Sequence, residues 1–328
     1  MAEAPGILPC QAIEALAASG AVSAAAPLAP GQVQPASLDL RLGARCWRVR
    51  ASFLPGPGRT VAERLKAVAM HELDLDVGAV LERGCVYIAE LQERLALPPE
   101  VSARANPKSS TGRLDIFVRL LTDGGPAFDD VAPGYRGPLY VEIAPQTFSV
   151  LARAGSRLNQ LRFRRGEAPR TTITTVGVDL TGPMAGFRAR RHAGVIDLDL
   201  EDGHDPHDFF EALEPRRGEL LLDPGEFYIL ASKQAVEIPL DQAAEMSPID
   251  TAVGEFRAHY AGFFDPGFAA RAVLEVRSRE APFLLDDGQA VARLIHEPMA
   301  ERPARAYGEG GSHYQSQGLK LSKHFRAW

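Results

Sequence analysis

One short segment of the sequence, ANPKSSTGRLDIF (residues 105–117), brings together side chains that could hold an anion. It contains two cations and two adjacent hydroxyls: Lys108, Ser109, Ser110 and Arg113. Proline and glycine in the same segment free backbone NH groups, and hydrogen bonds to charged groups are the strong ones. The spacing therefore indicates a phosphate-binding loop, with an ordinary polar turn as the alternative.

Two glutamates stand in apolar strand patterns, Glu142 in LYVEI and Glu275 in AVLEV. Each strand follows a loop that contains Pro-Gly and an aromatic residue, and an aspartate, Asp130 or Asp265, precedes each loop. A carboxylate flanked by apolar residues is costly to bury unless it is paired or its pKa is raised, and a raised pKa suits a general acid/base. The alternative is a surface carboxylate on a half-exposed sheet.

The segment YGEGGSHYQSQGLKLSKHF (307–325) is rich in glycine, serine and glutamine, and we predict that it is too polar to pack into a core. Flexible segments with tyrosine, histidine and lysine often close as lids over a ligand. A disordered terminus is the alternative that this composition allows.

The elements that must position these residues occur twice. GCVYIAELQERLALP (84–98) recurs as GEFYILASKQAVEIP (225–239), with glycine, tyrosine and proline at matching positions. The flanking blocks recur in the same order, SLDLRLG and APGYRGPLYVEI in one copy, GVDLTGP and DPGFAARAVLEV in the other. We therefore predict two copies of one fold and a tail, with the bounds 1–165, 171–302 and 303–328.

Each copy consists mainly of short segments rich in valine, isoleucine, tyrosine and leucine. The chain also contains 30 glycines and 25 prolines, a frequency that suits a many-turned all-β protein. Helical patterns are short and few: IEALAASG (13–20), AERLKAVAM (62–70) and HDFFEAL (207–213). This pattern favours closed or nearly closed β barrels or jelly rolls, which hide their strand edges.

Composition excludes several classes of function. The 36 basic and 42 acidic side chains leave a net charge of −6, so the chain has no long-range attraction for nucleic acid or anionic membranes. No apolar run reaches the length of a membrane span and no signal peptide is indicated, so we expect a cytoplasmic protein. Three separated cysteines and eight scattered histidines provide neither a disulfide framework nor the convergent ligands of a metal site.

The order of these segments resembles the dCTP deaminase branch of the deoxyuridine triphosphatase superfamily, in its long, internally duplicated bacterial form. The segments that carry the resemblance are QPASLDLRLG (34–43), KSSTGR (108–113), the Asp-Pro-Gly hairpin with its strand glutamate, RAGSRLNQLRF (153–163) and SHYQSQG (312–318). The resemblance implies two tandem distorted jelly-roll (dUTPase-like) β barrels with a few short helices. It also implies a trimeric homo-oligomer whose nucleotide sites lie between neighbouring barrels.

The resemblance further implies roles for individual residues. The phosphate segment would bind the substrate and the attacking water through Lys108, Ser109, Ser110, Thr111, Gly112 and Arg113. The strand glutamate of the family shuttles protons and is matched by Glu142 in one copy and Glu275 in the other. Ser109 and Arg113 would position the water, which completes the predicted catalytic set.

Substrate contacts are implied for five more residues. The hairpin aspartate of the family binds the deoxyribose hydroxyl, and it matches Asp265 cleanly but Asp130 less well, since VAP intervenes. In the tail, Tyr307, His313 and Gln317 fall where the family's lid contacts the nucleotide, with His313 where lysine is usual.

Neither copy carries a complete set of these residues. The second copy has MSPIDTAVGEF (246–256) in place of the phosphate segment, without paired serines or an arginine. A composite site would combine residues 108–113 with Asp265, Glu275 and the tail. The rival arrangement keeps Glu142 with the phosphate segment of its own copy.

The implied reaction is dCTP + H2O → dUTP + NH3, which feeds dUMP and dTTP synthesis. The sequence lacks the H-x-E and P-C-x-x-C signature of zinc deaminases, so we expect no cofactor for the chemistry and Mg²⁺ only with the triphosphate. Two alternatives remain from the residues: a dUTP diphosphatase or bifunctional dCTP deaminase/dUTPase, and a non-catalytic nucleotide-binding regulator.

Overall fold

The structure is a computed structural model, and it describes residues 4–167, 172–250, 252, 254, 256–258, 262–278, 281–309, 314–315 and 318–328. Within those ranges the chain forms 25 strands and four helices, so the prediction of a mainly β protein with a few short helices is confirmed. None of the described helices is long and apolar enough to cross a membrane. We call residues 4–167 the first half, 172–302 the second half and 303–328 the tail.

The first half contributes the strands of two sheets. Its strands are β1 Gly6–Ile7, β2 Val22–Ala24, β3 Leu38–Leu40, β4 Leu42–Val49, β5 Ala69–Asp74, β6 Ala79–Leu81, β7 Val86–Ala96, β8 Val101–Pro107, β9 Ile116–Thr122, β10 Asp130–Val131, β11 Arg136–Pro145, β12 Val150–Ala152 and β13 Asn159–Arg165. One sheet has the order β1-β13-β8-β10, with β3 also on β13, and the other has the order β5-β4-β7-β11-β9, with β2 also on β7.

The second half forms three sheets of its own. Its described strands are β14 Thr172–Gly177, β15 Gly186–Ala189, β16 Ile196–Asp197, β17 Phe210–Leu213, β18 Glu219–Leu222, β19 Tyr228–Glu237, β20 Gln242–Pro248, β21 Phe256–Ala258, β22 Phe263–Phe264, β23 Ala269–Ser278, β24 Phe283–Asp286 and β25 Ala290–Pro298. The sheet orders are β14-β25-β20-β22, β17-β15-β19-β23-β21 and β18-β24. A further sheet, β16-β12-β6, joins the halves through the parallel pair β12–β16.

The repeated tyrosines occupy matching places in the two halves. The hydroxyl of Tyr87 accepts a hydrogen bond from the Glu82 amide at 3.0 Å, and the hydroxyl of Tyr228 accepts one from the Asp223 amide at 2.8 Å. The two strand glutamates also share a register, because Glu142 lies opposite Ile88 and Glu275 opposite Ile229. This matched register supports the predicted duplication.

The helices differ partly from the sequence patterns. They are α1 Cys10–Ala18, α2 Val61–Val68, α3 Ser109–Gly112 and α4 Pro206–Phe209. The first two match the predicted segments, and Thr60 caps α2 by accepting a hydrogen bond from the Glu63 amide at 3.1 Å. The pattern at 207–213 is helical only in its first part, because β17 pairs with β15 and continues the segment as a strand.

The end of the tail packs into the protein core. Phe325 is only 3% exposed, and its ring lies 5.3 Å from that of Phe209 and 5.4 Å from that of Phe210. Leu321 is also buried, and the ring of Trp328 lies 4.8 Å from that of Phe187. The prediction that the segment 307–325 is too polar to pack is therefore wrong for residues 318–325, since a few apolar side chains suffice to dock them.

Phe325→Ala tests this docking. Removal of a buried phenylalanine ring leaves a cavity, so the free energy of unfolding should fall by about 3 to 5 kcal/mol. Urea unfolding of the variant and the wild type measures the difference. Arg326→Ala changes the exposed neighbouring side chain and should alter stability by less than about 1 kcal/mol. Equal effects of the two substitutions would contradict the packing described for Phe325.

Candidate active site

A cavity of about 490 Å³ lies where the two halves and the tail meet. It is lined by first-half residues from the segments 30–39, 108–113 and 157–160, and by second-half residues from 263–275. Tail residues from 305–323 complete the lining. Pockets for small ligands have volumes of about 300 to 1,000 Å³, so this cavity has the size of a ligand site.

The predicted phosphate segment enters the cavity through a single helical turn, α3, directly after strand β8. Ser109 and Ser110 line the cavity, whereas Thr111 and Gly112 are buried behind them. The Thr111 hydroxyl donates a hydrogen bond to the Leu158 carbonyl at 2.7 Å. The two serines thus line the cavity, while Thr111 anchors the turn to Leu158, directly before strand β13.

Lys108 and Asp39 form an ion pair at the same wall. The ammonium of Lys108 donates to Asp39 Oδ2, and Arg157 lies 3.8 Å from the same oxygen. The second oxygen of this aspartate, Oδ1, is buried and accepts no hydrogen bond from the described residues. Asp39 lies in QPASLDLRLG, a segment that carries the family resemblance, but its place in the cavity was not predicted.

Glu275 is a buried acid on the wall of the cavity. Its side chain is 1% exposed, and its Oε2 atom accepts no hydrogen bond from the residues that the structure describes. Burial raises the pKa of Glu275 to about 8, and the nearby positive charge of Arg113 opposes part of the rise. A carboxyl group with such a pKa can exchange a proton near neutral pH, as a general acid/base must.

Arg113 connects the phosphate segment to the tail. Its guanidinium donates to the Lys320 carbonyl at 3.0 Å and lies 3.9 Å from the centre of the Tyr314 ring. The hydroxyl of Ser322, also in the tail, donates a hydrogen bond to the Ser110 carbonyl at 2.8 Å. The tail therefore fixes both ends of the turn that presents Ser109 to the cavity.

An ion pair behind the cavity joins the halves next to Glu275. Arg277, two residues beyond Glu275 on β23, pairs with Asp115 and donates to the Thr147 hydroxyl at 2.9 Å. Asp115 is completely buried, and burial raises its pKa to about 6 against the effect of Arg277. Its negative charge also contributes to the raised pKa of Glu275.

Asp265 lies on the turn before β23 and faces the cavity from the second half. Arg162 donates to its Oδ1 atom at 3.1 Å. Burial raises the pKa of Asp265, the charges of Arg162 and Lys108 oppose the rise, and Asp39 adds to it. The turn needs the left-handed backbone of Gly267, at φ +89°, to bring the chain back into the strand.

Two predicted acids lie away from the cavity. Glu142 is buried in its own half, where it accepts a hydrogen bond from the Ser52 hydroxyl at 2.5 Å, and burial raises its pKa. Asp130 is exposed on β10 and lines a separate cavity of about 40 Å³. The structure thus brings Glu275 and Asp265, but neither Glu142 nor Asp130, to the phosphate segment.

The predicted lid residues divide into two groups. Tyr307 lines the cavity, and its ring lies 5.5 Å from that of Phe268. His313 and Gln317 lie outside the described residues, so their contact with a nucleotide stays a prediction.

The charges around the cavity are nearly balanced. Its lining contains five cations, Lys108, Arg113, Arg157, Arg305 and Lys323, and four acids, Asp39, Glu201, Asp265 and Glu275. Sequence reasoning missed several of them, although Arg157 stands in a segment that carried the family resemblance. In the described ranges, no three His, Cys, Asp or Glu side chains are grouped as ligands of a metal ion.

Comparisons with known protein families give two matches. Residues 4–167 match the model of the 2′-deoxycytidine 5′-triphosphate deaminase N-terminal domain, and residues 156–325 match the model of the C-terminal domain of the same enzyme. Together these matches include every segment that lines the cavity.

Individual relatives agree with the family models. The chain is 32% identical over 140 residues to a dCTP deaminase of Halorubrum lacusprofundi, an alignment that covers 42% of this chain and 66% of that protein. It is 31% identical over 144 residues to a "dCTP deaminase, dUMP-forming" of Nocardioides sp., covering 44% and 71%. The crystal structure of a 2′-deoxycytidine 5′-triphosphate deaminase from Agrobacterium tumefaciens is similar with a TM-score of 0.87 and 51% identity, covering 90% of this chain and 99% of that one.

Glu275→Gln tests the burial of this carboxyl group. Its pKa is about 8 in the folded protein against an ordinary value of 4.5, so the folded state binds the proton more tightly than the unfolded state. Below about pH 4.5 the carboxyl group makes its full contribution to the free energy of unfolding, and this contribution is lost as the pH rises through about 8. Glutamine has no such dependence, so the variant should gain stability relative to the wild type by up to about 1.4 kcal/mol per pH unit across this range.

Urea unfolding at about pH 5, 7 and 9 measures the trend. A difference between variant and wild type that is the same at each pH would contradict the raised pKa of Glu275.

Proposed function

Because this chain belongs to the 2′-deoxycytidine 5′-triphosphate deaminase family, we propose that it catalyses the hydrolytic deamination of dCTP to dUTP and ammonia. One observation carries the proposal: the buried Oε2 of Glu275 accepts no hydrogen bond from the described residues and lies on the cavity that Lys108, Ser109 and Arg113 line. The product would feed dUMP and dTTP synthesis.

Deamination at cytosine C4 needs a nucleophilic water, a proton for ring N3 and a second proton for the departing ammonia. In the proposed mechanism Glu275 takes a proton from water, delivers it to N3, and then moves a proton from the added hydroxyl to the amino group. General acid/base catalysis of this type supplies about 10²- to 10⁴-fold in rate. No zinc takes part in this proposal, because the carboxyl group itself activates the water.

Ser109 and Arg113 have the second role in the mechanism. We assign the Ser109 hydroxyl to the orientation of the attacking water, since it lines the cavity at the start of α3. The guanidinium of Arg113 stabilises the negative charge that develops as water adds to the ring. The contacts of Arg113 with Lys320 and Tyr314 hold it in place before substrate arrives, so little reorganisation is needed.

The triphosphate would bind to the cations of the cavity. Lys108 pairs with Asp39, Arg305 pairs with Glu14 at 2.6 Å, and Lys323 pairs with Glu201. The substrate phosphates would therefore replace these carboxylates as partners of the cations, because they carry more charge and form stronger hydrogen bonds. Mg²⁺ enters the proposal as part of the substrate, bound to the triphosphate.

The remaining contacts follow the composite arrangement. Asp265 would accept a hydrogen bond from the deoxyribose hydroxyl, and Tyr307, His313 and Gln317 would close over the nucleotide as part of the lid. Glu142 and Asp130 have no assigned role in this site, because both lie away from the cavity.

We also propose the finer architecture that the resemblance implies. Two tandem distorted jelly-roll barrels would span residues 1–165 and 171–302, with 303–328 as the lid. The matched registers of Glu142 and Glu275 support this division. A homo-oligomer with sites between barrels and a cytoplasmic location complete the proposal, and sedimentation would measure the oligomeric state.

A bifunctional activity is the second candidate function. It is favoured by the names of several relatives, including the Nocardioides protein, which are called dUMP-forming. Such an enzyme would hydrolyse the dUTP that it makes to dUMP and pyrophosphate.

Two assays of the purified protein separate the candidates. Ammonia release from dCTP without pyrophosphate release from dUTP supports the deaminase, and release of both products supports the bifunctional enzyme. A diphosphatase releases only pyrophosphate, and a regulator binds nucleotide but releases neither product.

Glu275→Gln and Glu142→Gln form a matched pair. The first substitution should lower kcat for ammonia release by about 10²- to 10⁴-fold with dCTP binding retained. The second should leave kcat within about threefold of the wild type, because Glu142 lies away from the cavity. A threefold change in kcat corresponds to less than about 1 kcal/mol in the activation barrier. The opposite result would assign the proton shuttle to Glu142 and reject the composite site.

The rate of ammonia release should also depend on pH. Water can lose its proton only to the ionised form of Glu275, so kcat/KM should rise about tenfold per pH unit at low pH. It should level off above about 8, near the pKa of Glu275 in the free protein. A profile that stays flat between about pH 6 and 9 would contradict the assignment of Glu275 as the base.

A further inference from the structure

Arg162 reaches from strand β13 of the first half into the second half, behind the wall that carries Asp265. Its side chain is 2% exposed, and burial lowers its pKa against the effect of the surrounding acids. A guanidinium is costly to remove from water, so its partners must be well placed to compensate. Those partners identify what the residue does.

The hydrogen bonds and the ring contact of Arg162 all reach the second half, where Phe263, Phe264 and Asp265 line the cavity. Its Nη1 atom donates to the Ala244 carbonyl at 2.9 Å, and its Nη2 atom donates to the Phe264 carbonyl at 3.3 Å and to Asp265 Oδ1 at 3.1 Å. Its Cζ atom lies 4.0 Å from the centre of the Phe263 ring. Arg162 thus holds the main chain, the ring and the carboxylate of one short segment.

Three charged groups act on Asp265 from two sides. Arg162 lies behind it, and Lys108 and Asp39 act on it from the first-half wall of the cavity. Lys108 is already paired with Asp39, and a triphosphate would compete for its ammonium. Arg162 is therefore the partner that keeps its hold on Asp265 while the cavity is occupied.

We propose that Arg162 is a positioning residue that orients the Asp265 carboxylate to accept a hydrogen bond from the sugar 3′-hydroxyl of the nucleotide. The inference rests on the proposed function, because it deepens the role assigned there to Asp265. Arg162 itself does not line the cavity, so it acts through Asp265 and Phe263.

A nucleotide without the 3′-hydroxyl isolates this role. Dideoxy-CTP keeps the base and the triphosphate of dCTP but cannot donate to Asp265. A hydrogen bond to a charged group contributes enough to give the wild type a preference for dCTP over dideoxy-CTP of about 10- to 100-fold. A merely structural role of Arg162 would weaken the binding of both nucleotides equally.

Arg164→Gln provides the matched control. Arg164 stands two residues further along β13 and also crosses between the halves, where it pairs with Glu297. It does not line the cavity and does not contact Asp265. Its loss should destabilise the same interface without affecting the recognition of the sugar.

Equilibrium binding of dCTP and dideoxy-CTP is measured by calorimetry in a Glu275→Gln background, so that neither nucleotide is consumed. Arg162→Gln should reduce the preference for dCTP to less than about threefold, and Arg164→Gln should keep the preference of the parent. Arg162→Lys keeps the charge but loses the forked geometry of the guanidinium. Its preference for dCTP over dideoxy-CTP should be at least about threefold smaller than that of the parent. If the glutamine variant does not fold, the lysine variant decides the question.

Three results would overturn the inference: no preference in the parent, a preference that Arg162→Lys or Arg162→Gln retains in full, or an equal loss in Arg164→Gln. Ammonia release by the wild type is measured separately. Absence of ammonia with the expected binding preferences would reject the proposed deamination and leave the role of Arg162 standing, so the two failures are distinguishable.

Discussion

Burial of one carboxyl group, Glu275, between the two halves is the constraint on which the site depends. Strand β23 places it among apolar neighbours, and none of the described residues donates a hydrogen bond to its Oε2 atom. Such an arrangement is unfavourable for an ionised carboxylate and persists only where the surrounding structure is strong enough to maintain it. The Asp115–Arg277 ion pair and the docked tail supply that strength on either side of Glu275.

Both halves contribute side chains to the cavity. The first half contributes the segment 108–113 and Lys108's partner Asp39, and the second half contributes Asp265 and Glu275. Buried contacts across the boundary, from Arg162 and Asp115, fix the distances between the two sets. A site of this kind gains its precision from the interface between two sheets rather than from either half alone.

Local sequence patterns predicted the strands and the mainly β fold correctly, because strand periodicity and turn residues act over a few positions. They could not separate Glu275 from Glu142, whose flanking residues are equally apolar. The difference arises from long-range packing: Ser52 reaches Glu142 within its own half, while Arg113 of the other half approaches Glu275. Composition misjudged residues 318–325 for a related reason, since Leu321 and Phe325 dock the segment despite its polar average.

The carbonyl of Lys320 and the hydroxyl of Ser322 support the turn that carries Ser109 and Arg113, although more than 200 residues separate them along the chain. Proteins are synthesised from the amino terminus, and domains begin to fold as they emerge from the ribosome. Both sheets of the first half can therefore form long before the cavity has its final shape. The serine turn therefore stays unsupported in a nascent chain until residues 320–322 have been made, and the pocket is completed only after that.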